Sequence, residues 1–124
     1  MATPILIVDD SAVSRSIVIR SLPPEWDVAI VQASNGSEAL ARLAEHHATV
    51  VLLDLNMPVM DGYQFLEALE ASPPAEGRPI VIVLSGDVQP QARARVTALG
   101  ARAFVKKPIK RETVLEALQA CGVL

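Results

Sequence analysis

Three separated apolar runs in this chain each stop at a charge. Ile5-Leu6-Ile7-Val8 leads into Asp9-Asp10, Val50-Val51-Leu52-Leu53 into Asp54, and Phe104-Val105-Lys106 into Lys107-Pro108. A short apolar run without polar alternation predicts a strand buried on both faces, as in a parallel sheet flanked by helices. Open α/β sheets bind ligands outside the carboxyl ends of their strands. The three runs therefore bring Asp9, Asp10, Asp54 and Lys107 to one edge, which predicts a hard-cation site with a nucleophile in it.

The rest of the chain supports that architecture. Strands are predicted at about Ile5–Val8, Val28–Gln32, Val50–Asp54, Ile80–Ser85 and Ala103–Lys106, alternating with helices at about Ala12–Leu22, Ser37–Glu45, Tyr63–Ala71, Pro90–Leu99 and Arg111–Ala120. Pro23-Pro24 and Pro73-Pro74 end the first and third helices, and Pro90 suits the first turn of the fourth. Asn35 with Glu38 three residues later resembles a capping box, and Gly100 follows the last apolar residue of the fourth helix. In that helix Val88, Ala92, Val96 and Leu99 form one apolar stripe, with Arg93 and Arg95 off it. Strict β–α alternation implies right-handed crossovers and a parallel sheet. The pattern ends just after the fifth helix, so one domain over residues 1–124 is expected.

Composition narrows the function classes. Hydrophobic residues make up 51% and aromatics only 3%, so the core is built from Val, Ile, Leu and Ala. No apolar run approaches the length of a membrane span, and the N-terminus lacks a basic region followed by an apolar one. The single Cys121 excludes an internal disulfide and fits a cytoplasmic location, with the residue read as a small apolar group of the last helix. The net charge of −3 hides an asymmetry: Arg93, Arg95, Arg102, Lys106, Lys107, Lys110 and Arg111 fall between positions 88 and 111 with no acid among them. Such a segment is either a solvated face or a docking face for an acidic partner. Nucleic acid is not expected, since no recognition-helix motif or aromatic interleaving accompanies the basic residues.

The chemistry follows from the charges. Three close carboxylates repel one another, and Mg²⁺, which takes oxygen ligands and only a few carboxylates, removes the conflict. Asp54 is the nucleophile candidate, because a carboxylate can accept a phosphoryl group as a mixed anhydride. Lys107 supplies a second positive clamp, and the Ser85 hydroxyl, at the end of the fourth strand, can donate to a phosphoryl oxygen.

With these residues in view, the chain resembles the receiver domain of two-component response regulators, the group that includes CheY. The resemblance covers nearly the whole chain, through ILIVDDS at 5–11, NGSEAL at 35–40, VVLLDLNMPVMDG at 50–62, IVLSGD at 82–87 and GARAFVKKP at 100–108. Only the third segment is specific alone; together, in this order and spacing, they are strong. The resemblance implies a flavodoxin-like (βα)5 fold with a five-stranded sheet of order 2-1-3-4-5. It implies Asp54 as phosphoacceptor, with Asp9 and Asp10 as the acid pair for Mg²⁺, one of them through water. It also implies that Asn56 gives a backbone carbonyl to the metal and that Lys107 binds a phosphoryl oxygen ahead of a cis peptide to Pro108. Lys106 sits beside Lys107, but the residue directly before Pro108 is the family's match. Ser85 would be the switch hydroxyl and Phe104 the switch aromatic. Once the acceptor is phosphorylated, Ser85 would move inward and the Phe104 ring would fill the space it leaves, reshaping the face formed by the fourth helix, fifth strand and fifth helix. Asn56 and Asp87 match the positions that flank the hydrolytic water, and as polar residues they predict a short-lived phosphoryl state.

The implied partners are a sensor histidine kinase or phosphotransfer protein upstream, and a target protein or fused output domain downstream. The LPPEW, SGDVQP and KKPI details are similar to receivers that precede a chemotaxis-phosphatase-type domain. A monomer or a phosphorylation-dependent dimer is expected. The domain is read as a signalling phosphoacceptor rather than an enzyme with a turnover substrate. Two alternatives compete with this reading. A haloacid-dehalogenase-like aspartyl-phosphate hydrolase wants a second Asp two residues past the nucleophile, where this chain has Asn56. A pseudo-receiver scaffold is expected to lose the acceptor or a metal acid, whereas Asp9, Asp10, Asp54, Ser85 and Lys107 are all retained. His46 and His47, which could suggest a phosphorelay, are read as residues at a helix carboxyl end.

Overall fold

Each apolar run does form a strand, and the alternation carries through the chain; the first two are buried, whereas the third lies at the sheet edge with only Val105 buried and Lys106 exposed. The computed structural model describes residues 2–87 and 89–124. The elements are β1 (Thr3–Val8), α1 (Ala12–Ser21), β2 (Val28–Ala33), α2 (Gly36–Glu45), β3 (Val50–Asp54), α3 (Gly62–Ala71), β4 (Ile80–Ser85), α4 (Pro90–Ala98), β5 (Ala103–Lys106) and α5 (Arg111–Ala120). All pairings are parallel, in the order β2-β1-β3-β4-β5. This is the flavodoxin-like sheet that the resemblance implies. Among the described residues no helix is long and apolar enough to cross a membrane.

Side-chain alternation splits the core in two. Leu6, Val8, Val51, Leu53, Val81 and Val83 pack with residues of α2, α3 and α4, among them Ala39, Leu43, Phe65, Leu66 and Val96. Ile5, Ile7, Val50, Leu52, Ile82, Leu84 and Val105 pack on the other face with Val18, Leu22, Val114 and Leu118. A strand buried on both faces must be apolar at every position, which is why β3 reads as an unbroken run.

Element ends depart from the sequence expectation by one or two residues, for local reasons. Thr3 already pairs with Val28, and Ala33 with Val8, so β1 starts and β2 ends beyond the apolar runs. Leu22 is forced out of helical geometry (ψ 148°) by the following proline, so α1 stops at Ser21. Asn35 does cap α2, with its side chain accepting from the Glu38 N–H at 2.8 Å. The expected reciprocal bond does not form: the Glu38 carboxylate accepts from the Ser34 N–H and hydroxyl instead. The complete capping box lies on α3, between Asp61 and Gln64, both bonds 2.9 Å. In α4, Ala92 and Val96 are buried as the stripe predicts; Val88, the head of that stripe, lies outside the described residues. Gly100 (φ +97°) ends α4 in a Schellman arrangement, its N–H donating to Thr97 and that of Ala101 to Val96.

Candidate functional site

Strand register alone assembles the site. Val8 pairs with Leu53, Asp54 with Leu84, and Ser85 with Lys106. Asp9, Asp54, Ser85 and Lys107 therefore line one carboxyl edge. Alternation puts Asp9, Asp54 and Lys107 on the α1–α5 side, and Ser85 on the α2–α3–α4 side with Phe104.

Asp9 and Asp54 are only 3% and 7% exposed, while Asp10 points into solvent. Carboxylate oxygens of Asp9, Asp10 and Asp54 lie within 4.8 Å of one another. Lys107 settles the ambiguity between the adjacent lysines: its Nζ donates to Asp54 Oδ1 at 3.2 Å and to Asp9 Oδ2 at 3.3 Å, whereas Lys106 is exposed. The second Asp9 oxygen accepts from the Ser11 N–H at 2.9 Å, and Arg15 of α1 donates to the Asp9 carbonyl at 2.7 Å. Sequence reasoning passed over Ser11 and Arg15. The Lys107–Pro108 peptide is cis.

Burial pushes the Asp54 carboxyl above its ordinary value; Lys107 opposes this and the Asp9 charge adds to it. Burial works against the Lys107 ammonium too, but Asp54 and Asp9 outweigh it and hold its pKa above the usual lysine value. The edge is thus a cluster of acids in excess over its one internal cation. All the converging donors are oxygens, so the residues fit a hard divalent ion such as Mg²⁺.

Ser85 is 1% exposed, and its Oγ accepts from the Asp87 N–H at 3.1 Å. Among the described residues its hydroxyl donates to none. The Asp87 carboxylate accepts from the Gln89 N–H at 3.0 Å, in the turn before α4. Asn56 is exposed two residues past Asp54. The loop that carries it is pinned at both ends: the Gly62 N–H donates to Leu55 O at 3.0 Å and the Gly36 N–H to Met60 O at 2.9 Å. Between them Val59, at φ +68° and 83% exposed, stands inside a tight turn closed by the Met60 N–H on Pro58 O. That is a strained backbone for a β-branched residue. His46 and His47 line shallow surfaces with Ala48, Pro74 and Pro79, at the amino end of the sheet and away from the acids.

Comparison with known proteins agrees with this geometry. Residues 5–119 match the response regulator receiver domain family. A protein-glutamate methylesterase/protein-glutamine glutaminase of Moorella thermoacetica is 44% identical over 108 residues, covering 84% of this chain and 24% of that protein. The chain thus spans about a quarter of the length of such methylesterase relatives. The chemotaxis protein CheY of Bacillus subtilis is 32% identical over 118 residues, covering 95% of this chain and 96% of CheY. Among solved structures, the CheX–CheY–BeF3–Mg complex of Borrelia burgdorferi matches with a TM-score of 0.87 and 27% identity, over 98% of this chain and 90% of that one. With the family match over residues 5–119 and a matching sheet order, the chain belongs to the response regulator receiver domain family, of the CheY type.

Proposed function

We propose that this receiver domain is a Mg²⁺-dependent phosphoacceptor that relays a signal from a histidine kinase or phosphotransfer protein to a protein target. The observation that carries this reading is a buried Asp54 carboxylate held at 3.2 Å by Lys107, with Asp9 and Asp10 beside it. In the transfer step an Asp54 oxygen forms a bond to phosphorus as the bond from phosphorus to the donor imidazole nitrogen breaks. The nitrogen keeps the electron pair and later takes a proton from water. Lys107 balances charge on the phosphoryl oxygens, and the Ser85 hydroxyl donates to one of them. Asp9, Asp10, Asp54 and the Asn56 carbonyl would hold Mg²⁺, which when bound screens the charge of the approaching oxygens. Hydrolysis reverses the state: water attacks phosphorus, the Asp54–phosphorus bond breaks, and inorganic phosphate leaves.

A protein donor suits the surroundings of the edge. Val13 and Ile17, one turn apart on α1, are exposed, and a groove of about 330 Å³ runs past Ser14, Ile17, Val18, Lys107, Pro108 and Ile109. Apolar surface beside a phosphoryl site suits a docking protein better than a small phosphate ester. On the output side, Ser85 stands on the same sheet face as Phe104, so a change at the edge passes through it to β5 and the basic face of α4 and α5. The chain's relatives include both CheY and the methylesterases, so the output is a separate target protein in chemotaxis-type signalling or a fused output domain. Such partners, and the free thiol of Cys121, fit a cytoplasmic protein.

Intact-mass spectrometry after incubation with acetyl phosphate and Mg²⁺ tests the reading. One phosphoryl adduct is expected, absent when the metal is chelated. No adduct, together with no binding of beryllium fluoride as an acyl-phosphate mimic, would sink it. The adduct should be short-lived because Asn56 and Asp87 leave polar room for a water. Asn56→Arg places a bulky cation there and should slow its decay roughly tenfold, about 1.4 kcal/mol in barrier; an unchanged decay rate in a chase experiment refutes the assignment.

A further inference from the structure

α4 is lightly fastened by its own sequence. Gln89 at its N-cap makes no side-chain capping bond, and its buried residues are the modest Ala92 and Val96. Two lateral contacts add to this. The Arg93 guanidinium lies over the Phe104 ring of β5, 5.2 Å from its centre, and that of Arg95 over the Tyr63 ring of α3, at 4.0 Å. The chain has one Trp, one Tyr and two Phe, so half of its aromatic rings carry an α4 arginine. Phe104 is half-buried against the α2–α3–α4 core, opposite Val83 and on the same face as Ser85.

We propose that Arg93 is a brake on the switch, a positioning residue that holds the Phe104 ring in its resting place. The proposal rests on the phosphoacceptor reading above and adds a residue to it. The ring presents its face to a cation while it lies half-buried beside α4. Turning inward beside Ser85 takes that face away from the guanidinium. The resting packing therefore gains a contact that the active packing lacks, and a ligand at Asp54 must overcome it. An exposed cation–π contact shifts such an equilibrium by about two- to five-fold. Arg95 engages a ring outside the switch path, so it steadies α4 without setting the position of Phe104.

The test is a beryllium fluoride titration in saturating Mg²⁺, followed through the ring resonances of protein labelled at Phe. Only Phe65 and Phe104 report, and Phe65 is fully buried and serves as reference. Arg93→Ala should lower the beryllium fluoride midpoint about two- to five-fold. It should also move the unliganded Phe104 signal toward its ligand-bound position. Arg93→Lys, which keeps a cation over the ring, should recover part of the wild-type midpoint, and Arg95→Ala should leave the Phe104 signal in place. If Arg93→Ala lowers only the melting temperature, or if Arg95→Ala moves Phe104 equally, Arg93 is a structural tether and the brake is refuted while the phosphoacceptor reading stands. If the wild type binds no beryllium fluoride, that reading fails and takes the brake with it.

Discussion

Asp54→Asn should abolish the phosphoryl adduct and, in metal-free buffer at neutral pH, give a protein that resists urea better than the wild type. The first effect is chemical, because an amide oxygen cannot serve as the anhydride-forming nucleophile. The second follows from the electrostatics of the edge. Burial disfavours the ionised Asp54 carboxylate, Lys107 compensates only in part, and Asp9 adds repulsion, so the folded-state pKa lies above the ordinary carboxylate value. A group whose folded pKa is raised contributes stability that is complete below its unfolded pKa and is lost as pH rises through the folded one. At neutral pH the wild type has lost that contribution, and asparagine has no charge to bury. The advantage of the variant should therefore grow as pH rises through the carboxylate range and vanish in acid, below about pH 3. Lys107 follows the same rule at the other end. Its folded pKa is raised above 10.5, so its contribution is intact at neutral pH and is lost only in alkali.

Mg²⁺ should reverse the order, because a ligand that binds only the folded state stabilises it by mass action. The wild type should gain urea resistance with added Mg²⁺ and Asp54→Asn should gain far less. A metal-free variant less stable than the wild type at neutral pH would show instead that the Lys107 pair outweighs the cost of burial. These paired curves separate a site built to receive a cation from one already balanced by its own lysine.

How much of this site was legible in the sequence depends on which force places each residue. Asp9 and Asp54 were legible because a parallel strand buried on both faces leaves an apolar run, and the first charge after it marks the carboxyl edge. Backbone alternation puts Lys106 and Lys107 on opposite faces, and the choice of Lys107 came from its place directly before Pro108, as the family resemblance implies. Capping was less legible. Asn35 and Asp61 each have an acid or amide three residues on, yet only the second pair closes reciprocally. Glu38 has the Ser34 hydroxyl as a competing partner, and the sequence does not rank the two. The left-handed Val59 carries no sequence signal, since a β-branched residue argues against that conformation; the closed loop around it imposes the turn. Arg93 on Phe104 and Arg95 on Tyr63 were invisible because both depend on how α4 lies between α3 and β5. The basic stretch, read from the sequence as either a solvated face or a docking face, has two of its arginines already laid over the protein's own rings.

Gly62→Ala should destabilise the domain by at least about 2–3 kcal/mol, the upper range for overpacking a tight site, and should impair phosphorylation beyond what unfolding explains. Gly62 is the first residue of α3, where alanine is ordinarily favourable. Space forbids it here. A Cβ at this position would lie 2.6 Å from the backbone oxygen of Asp54 and 2.8 Å from the Leu55 Cα. Those are main-chain atoms at the end of the acceptor strand and of the residue just after it, and they cannot rotate aside. Either α3 retreats, breaking the 3.0 Å bond from the Gly62 N–H to Leu55 O, or β3 shifts and carries Asp54 away from Lys107 and Asp9. Gly86 is the contrast: among the described residues nothing lies within 4 Å of a Cβ built there. Gly86→Ala should keep its urea midpoint near that of the wild type, so the cost at Gly62 can be assigned to contact rather than to the loss of a glycine. Mass spectrometry on the fraction still folded then completes the argument. If Gly62→Ala protein that remains folded takes up phosphoryl at the wild-type rate, α3 has absorbed the strain and the position of Asp54 does not depend on this contact. If uptake falls with the fold intact, the approach of α3 to β3 is part of what aims the acceptor.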